Sequence, residues 1–546
     1  MQVKTKMASK IALTILGLLL LTLGLLKLNY WQDAKTPYFN TADPIENVLY
    51  AYYSSQGWIA YREFFSNHLP GVYHLLGWWF SLVGIADLTP SLKLFHKAVF
   101  YASFLVVLWQ LSWTAGTFFI LFRSVTLSLI AAAALLSWVY QEINFLVPLS
   151  ETMISVMFMP IPFLTWQILN TKDEELRFRL AVLLALPWSF FSVWLGLTAA
   201  PSSFLVALVS WSVLLGVKPG FGKFRHPLFL GSLLLVLGVG LLSLLKTDPA
   251  QMYFFNVPFN KPLAPTKSIV EQIYDNVIYQ MGFEWSGREW FMRMFPATLI
   301  LLGLSLVALL VAELRKRPSS RWQVFSRFAV WTLLILFAAA FSLWRHYVGY
   351  KTYALLGINF GLLILVLSAV RNQVWTPGTN PINFKLGWFG FGNGKAMLVL
   401  AVILSVTIIS FHRRINRKLN KSIRPIFVTE LETRQREIEW RRKKICGIHD
   451  GPSSDCACVR TTTFNPGDFL ILNVKQCQPW GVWIPLFPYD PWSMDSFRRD
   501  VADPKVAFVV SDPAAHAMFN VPAESVAQII ATRKCEAFSD ILQLCI

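Results

Sequence analysis

Long apolar runs alternate with short polar stretches over the first 411 residues. Runs near 11–27, 98–121, 125–140, 152–170, 180–199, 202–217, 227–246, 296–312, 328–344, 353–370 and 396–411 each reach the length that crosses a bilayer once tilt is allowed. The pattern predicts an α-helical polytopic membrane protein with about 11 transmembrane helices and a large first outer loop over 28–97. The basic start, Met1 to Lys10, leads into an apolar stretch with no small-residue cleavage site before Asn29 and Tyr30, so 11–27 is expected to be a retained helix.

The pattern changes after 411. Arg413, Arg414, Arg417, Lys418, Lys421 and Arg424 follow the last run, and 426–445 then reads as a helix with Glu430 and Arg434 one turn apart, suited to lie on anionic headgroups. Beyond it, 467–474 and 506–512 read as buried strands and 524–532 as a helix. The expected division is a transmembrane domain over 1–411, a basic interfacial linker helix over 412–445 and a small soluble α/β domain over 446–546.

All six cysteines, Cys446, Cys456, Cys458, Cys477, Cys535 and Cys545, fall in that last part. Such clustering suits a disulfide framework in an oxidising space, its pairing left open by the sequence. A metal site at Cys446, Cys456 and Cys458 is the weaker alternative, because no paired CxxC pattern is present.

Composition agrees: of 546 residues, 55% are hydrophobic and 15% charged, which excludes an ordinary soluble domain. The net charge of +18 sits mostly in linkers between runs and in the block after the last one, where it orients spans and meets lipid; no nucleic-acid partner is expected. With a cytoplasmic N-terminus, inside linkers hold Lys4, Lys6, Arg123, Lys172, Lys218 and the cluster Arg315-Lys316-Arg317, whereas the turns at 142–151 and 199–201 have no Lys or Arg. That order puts the loops 28–97 and 247–295, the turn 345–351 and the cysteine domain on the outer face of a plasma membrane. The basic run 413–424 argues the other way, and the earlier spans together with the cysteines outweigh it.

Candidate chemistry concentrates in the first loop. Asp43-Pro44-Ile45-Glu46 is a helix start, with Asp as cap, Pro in the first turn and Glu at the third position, and Ile45, Val48, Leu49 and Tyr52 then share one face. Capping alone accounts for both acids. A carboxylate fixed in this way above the membrane is also placed to act as general base on an acceptor hydroxyl.

That segment, together with Tyr61-Arg62-Glu63-Phe64-Phe65 and His68-Leu69-Pro70-Gly71-Val72-Tyr73, resembles the first outer loop of C-class membrane glycosyltransferases, in the branch of protein mannosyltransferase-like, aminoarabinose and Rgt-type transferases. Pro148-Leu149-Ser150-Glu151 resembles the acidic residue that this family carries at the outer end of a later span, and Arg345-His346-Tyr347-Val348-Gly349-Tyr350-Lys351 resembles its basic aromatic turn. The resemblance covers roughly 10–415 and rests on the order of short motifs and their side of the membrane. It does not extend to the cysteine-rich tail.

The resemblance implies transfer of a sugar from a polyprenyl-phosphate donor to a lipid, glycan or protein acceptor, with inversion at the anomeric carbon. Asp43 is the implied base and Glu46 the alternative, since Pro44 separates acids that are adjacent in many family members. Glu63 stands where Asp is more usual. Arg62, Glu63, His68, Glu151, Arg288, Arg345, His346 and Lys351 are the candidate substrate contacts, with Arg345, His346 and Lys351, or Arg288 and Arg293, balancing the leaving phosphate. For Arg345 and Lys351 the competing role is interfacial snorkelling, for Glu151 solvation, and for His68 and His74 a structural place beside Pro and Tyr. No metal-ligating set is assigned and no cofactor is called for, although a divalent metal stays open. A transporter or flippase for a lipid-linked molecule, or a noncatalytic scaffold anchored by its helices, is the rival; the first would place ionisable residues at mid-membrane, and eleven spans exceed what an anchor needs.

Overall fold

The computed structural model describes residues 43–64, 69–88, 92–122, 150–170, 174–196, 200–216, 224–254, 294–315, 458–461, 498–503, 506–511, 523–539 and 542–546, with a few isolated positions including 440 and 443–445. Among them the chain forms eleven helices and one small sheet. In chain order these are α1 (Asp43–Ser55), α2 (Gly71–Leu82), α3 (Leu92–Phe122), α4 (Ser150–Met157), α5 (Ile161–Asn170), α6 (Glu174–Leu195), α7 (Ala200–Gly216), α8 (Pro227–Leu245), α9 (Pro249–Phe254), α10 (Met294–Arg315) and α11 (Ala523–Thr532).

Three helical stretches are long and apolar enough to cross a membrane, Lys97–Gly116 within α3, all of α6, and all of α8. They fall on the runs expected at 98–121, 180–199 and 227–246. The runs at 11–27, 125–140, 328–344, 353–370 and 396–411 lie outside the described residues. The run at 152–170 is not one helix: α4 stops at Met157, residues 158–160 turn, and α5 starts at Ile161. Pro160 and Pro162 are the cause, since proline lacks an N–H donor, clashes with the preceding turn, and is tolerated in the first turn of a new helix.

Proline also marks α6. Leu184–Trp188 forms a π-turn around Pro187, where the wider helical ring accommodates the missing donor. The Ser189 hydroxyl donates to the Leu184 carbonyl at 2.6 Å, and the Trp188 indole N–H reaches the Met157 carbonyl at 2.9 Å, at the broken end of α4. Serines join α6 to α7, with Ser192 Oγ 2.5 Å from Ser203 Oγ. Such small polar contacts hold helices together where lipid offers no hydrophobic drive. Most of α8, by contrast, faces outward: Leu234, Leu237, Leu241 and Leu245 are all more than half exposed.

The chain divides into two units. Among the described residues, one holds the chain from Val106 to Leu241 and α10; the other holds the chain up to Leu105, Leu242–Phe254 and the C-terminal part. In the C-terminal part, β1 (Cys458–Thr461), β2 (Val506–Ser511), β3 (Cys535–Ser539) and β4 (Leu542–Cys545) form a sheet ordered β1-β2-β4-β3. The β1–β2 pair is parallel, and the β2–β4 and β3–β4 pairs are antiparallel. Strand β2 and helix α11 match the expected 506–512 and 524–532; the expected strand 467–474 lies outside the described residues, as does most of the helix expected at 426–445. Ile529 and Val526 of α11 pack on Val506, Phe508 and Val510.

Cys535 and Cys545 face each other in register and are joined by a disulfide. Cys458 is also disulfide-bonded. Beside them Arg533 donates to the carbonyls of Val506, Asp500 and Val501 at 2.6, 2.9 and 2.8 Å, holding β2 to the end of the short helical turn 498–502. Arg460, on β1, is wholly buried and ion-paired with Asp500.

Removing one partner of a buried pair leaves a charge without compensation. Asp500→Ala is expected to destabilise the C-terminal domain by about 3–5 kcal/mol, read as faster amide exchange in β1 and β2 of the full chain. A loss below about 1 kcal/mol, the scale of an exposed pair, would contradict a structural role for Asp500.

Candidate functional site in the first loop

Helix α1 starts at Asp43, as the Asp-Pro-x-Glu pattern predicts, and ends on Gly57. There φ is +87°, a conformation glycine adopts without a steric penalty. Gly57 N–H donates to Ser54 at 3.1 Å and Trp58 N–H to Tyr53 at 3.1 Å. This is a Schellman closure, and its usual apolar contact is the Trp58 ring stacked on Tyr53 at 4.2 Å.

The helix is not merely amphipathic. Ile45, Val48, Leu49 and Tyr52 are buried as expected, but so are Glu46, Asn47, Tyr50, Tyr53 and Ser54 on the other sides. Helix α2 covers one side closely: a Cβ added at Gly77 would stand 3.0 Å from the Ala51 carbonyl and from Ser54, so a larger residue there would require these neighbours to give way.

An aromatic group built from three places in the sequence packs on α1 through Tyr50. Tyr50 stacks on Phe64 at 5.0 Å and meets Tyr73 edge-on at 5.9 Å, and Phe64 meets Tyr73 edge-on at 5.6 Å. Tyr61 and Tyr73 are both fully buried. Burial foremost, then Tyr61, Tyr50 and the Glu46 carboxylate, hold the Tyr73 phenol well above its ordinary pKa. Tyr61 has φ +64°, the one non-glycine residue with positive φ among the described residues.

The turn carrying Tyr61 is tied to the segment that follows α8. Ala60 N–H donates to the Lys246 carbonyl at 2.9 Å, and Asp248 N–H donates to the Ala60 carbonyl at 2.9 Å. The Lys246 ammonium reaches the Ser54 carbonyl at 3.3 Å, at the negative end of α1. His74 Nδ1 is 2.8 Å from Ser243 Oγ, in a position with no exposure. Burial chiefly, and the nearby Lys246 charge, push His74 down to about 3, against a partial pull upward from a hydrogen bond to the Lys246 backbone. It is a neutral structural histidine at ordinary pH.

The candidates separate accordingly. Asp43 opens α1, and Glu46, one turn later, is buried. Glu63 closes its own turn by accepting from Ile59 N–H at 2.5 Å, while Arg62 projects into solvent. Glu151 lies in the first turn of α4. His68, Arg288, Arg345, His346 and Lys351 are outside the described residues, as is Arg293. Tyr61 and Tyr73 stood in the sequence motifs without a role, and Ser243 and Lys246 were missed; the abrupt change from leucines to Lys246-Thr247-Asp248 was the available signal. Among the described residues no group of His, Cys, Asp or Glu is arranged to hold a metal. No family model, curated protein or solved structure matches the chain.

Because His74 is lowered from about 6.5 to about 3 on folding, the unfolded chain binds a proton in that window that the folded chain does not. Stability contributed here is full above pH 6.5 and falls as the pH drops toward 3, by up to about 1.4 kcal/mol per pH unit. His74→Asn is expected to flatten the acid side of the thermal-unfolding profile relative to the parent, and parallel profiles would contradict the assignment.

Proposed function

We infer that the chain is a multi-pass membrane glycosyltransferase that moves a sugar from a polyprenyl-phosphate donor to a lipid, glycan or protein acceptor at the outer face of the plasma membrane. The observation that carries this reading is a carboxylate-bearing loop, built around Glu46 and opened by Asp43, that is fastened to the end of a helix with exposed leucines. An isoprenoid tail lying along such a helix would bring its phosphate and sugar level with the loop. The motif resemblance of the sequence supplies the reaction class.

In the proposed step the acceptor hydroxyl gives its proton to a loop carboxylate while its oxygen bonds to the anomeric carbon. The bond from that carbon to the phosphate oxygen breaks, and its electron pair stays on the lipid phosphate. A single displacement inverts the anomeric centre. Arg345, His346 and Lys351, or Arg288, would balance the charge that develops on the leaving phosphate. Arg62 and Glu63, His68 and Glu151 are the proposed contacts to sugar and acceptor.

The full chain in lipid nanodiscs, supplied with radiolabelled polyprenyl-phosphate sugars, is expected to transfer or hydrolyse the sugar. Loss of a general base costs roughly 100-fold or more in turnover, so Asp43→Asn and Glu46→Gln are expected to separate base from cap. Carrier movement without sugar release would favour a flippase, and neither outcome would leave the helices as a scaffold.

A further inference from the structure

Where α8 begins, one histidine faces two helices. His226 stands directly before Pro227, the place from which a side chain can accept a bond from the first free N–H groups of a helix. Pro227 has no N–H, so Leu228 offers the first one. The Leu228 N–H donates to His226 Nδ1 at 3.1 Å, and the Leu230 N–H donates to the His226 carbonyl at 3.1 Å. On the other side of the ring, Nε2 lies 3.3 Å from Glu175 Oε1 in the first turn of α6, and Phe178 meets the ring edge-on at 5.2 Å.

The two contacts make different demands on the imidazole. A ring nitrogen that accepts from an N–H carries no proton, so the cap selects the neutral tautomer with its hydrogen on Nε2. A second proton goes to Nδ1, where it opposes the Leu228 N–H and sets a positive charge at the positive end of α8. The same charge strengthens the attraction to Glu175. A protonated ring therefore serves α6 at the expense of α8. Glu175 also accepts from Arg179 Nε at 2.7 Å, and the other charged residues at these two helix starts, among the described residues, are Glu174, Arg177 and Arg225. Helix α7 touches α8 through Trp211 against Phe229 and carries no titratable side chain. With 29% of its side chain exposed, His226 can exchange protons with water.

We propose that His226 is a pH-responsive cap at the joint between α6 and α8: neutral, it closes the start of α8; protonated, it releases the first turn of α8 and pairs with Glu175.

The test uses the full chain in lipid nanodiscs, isotope-labelled at histidine nitrogen, with His226→Asn identifying the ring signals by their loss. Asparagine keeps a capping acceptor and does not titrate. Histidine changes charge between about pH 8 and about pH 5. At the upper end the ring is expected to show a bare Nδ1 and a protonated Nε2, and at the lower end a proton on both. Over the same interval the Leu228 amide, corrected for the pH dependence of intrinsic exchange, is expected to exchange about fivefold faster, the factor that a typical N-cap contributes. In His226→Asn its protection should not change with pH. A neutral ring with its proton on Nδ1, equal Leu228 protection at both ends of the range, or the parent's pH response persisting in His226→Asn would each overturn the proposal.

Discussion

The two backbone hydrogen bonds between Ala60 and the Lys246–Asp248 segment set the geometry of the first loop. A segment of this length would otherwise present its backbone to water in many conformations, and ordering it carries a large entropic cost. Here the order is cooperative. The same segment supplies Ser243 to His74 and Lys246 to the carbonyl end of α1, so α1, α2 and the Tyr61 turn are all referred to one short stretch at the end of α8. With those three pieces fixed, the rings of Tyr50, Phe64 and Tyr73 are brought together.

The energetic logic recurs in the C-terminal domain, where a buried Arg460 is tolerated because Asp500 sits beside it and Arg533 spends its donors on four carbonyls. In both places a charged or polar group is taken out of water, and specific partners offset the desolvation. Disulfides add a second kind of constraint to the C-terminal sheet, whose short strands would be marginal alone. The first loop has no such crosslink among its described residues and depends on hydrogen bonds and packing.

How much of this could be read from the chain follows from the range of each interaction. The start of α1 at Asp43 and its stop at Gly57 are local signals, as are the β2 run Val506–Ser511 and the α11 face of Val526 and Ile529. Three apolar runs were recognisable as helices long and apolar enough to cross a membrane, because length and composition are also local. The break at Pro160 was visible as two prolines, yet the surrounding hydrophobicity reads as continuous. His74 and Ser243 are 169 residues apart, and nothing near either one names the other. The Ala60 contact uses backbone atoms alone, so no side chain betrays it. Glu46 was legible as a capping acid; its burial was not, because that depends on where distant backbone is pinned.

The claim that the first loop is locked onto the end of α8 is tested most directly by amide hydrogen exchange at Ala60 and Asp248 in the full chain embedded in lipid. Both amides should exchange as slowly as the interior of α1, and should speed up together when His74 is replaced. Exchange at Ala60 and Asp248 at the rate of an open loop, while α1 stays protected, would contradict the account.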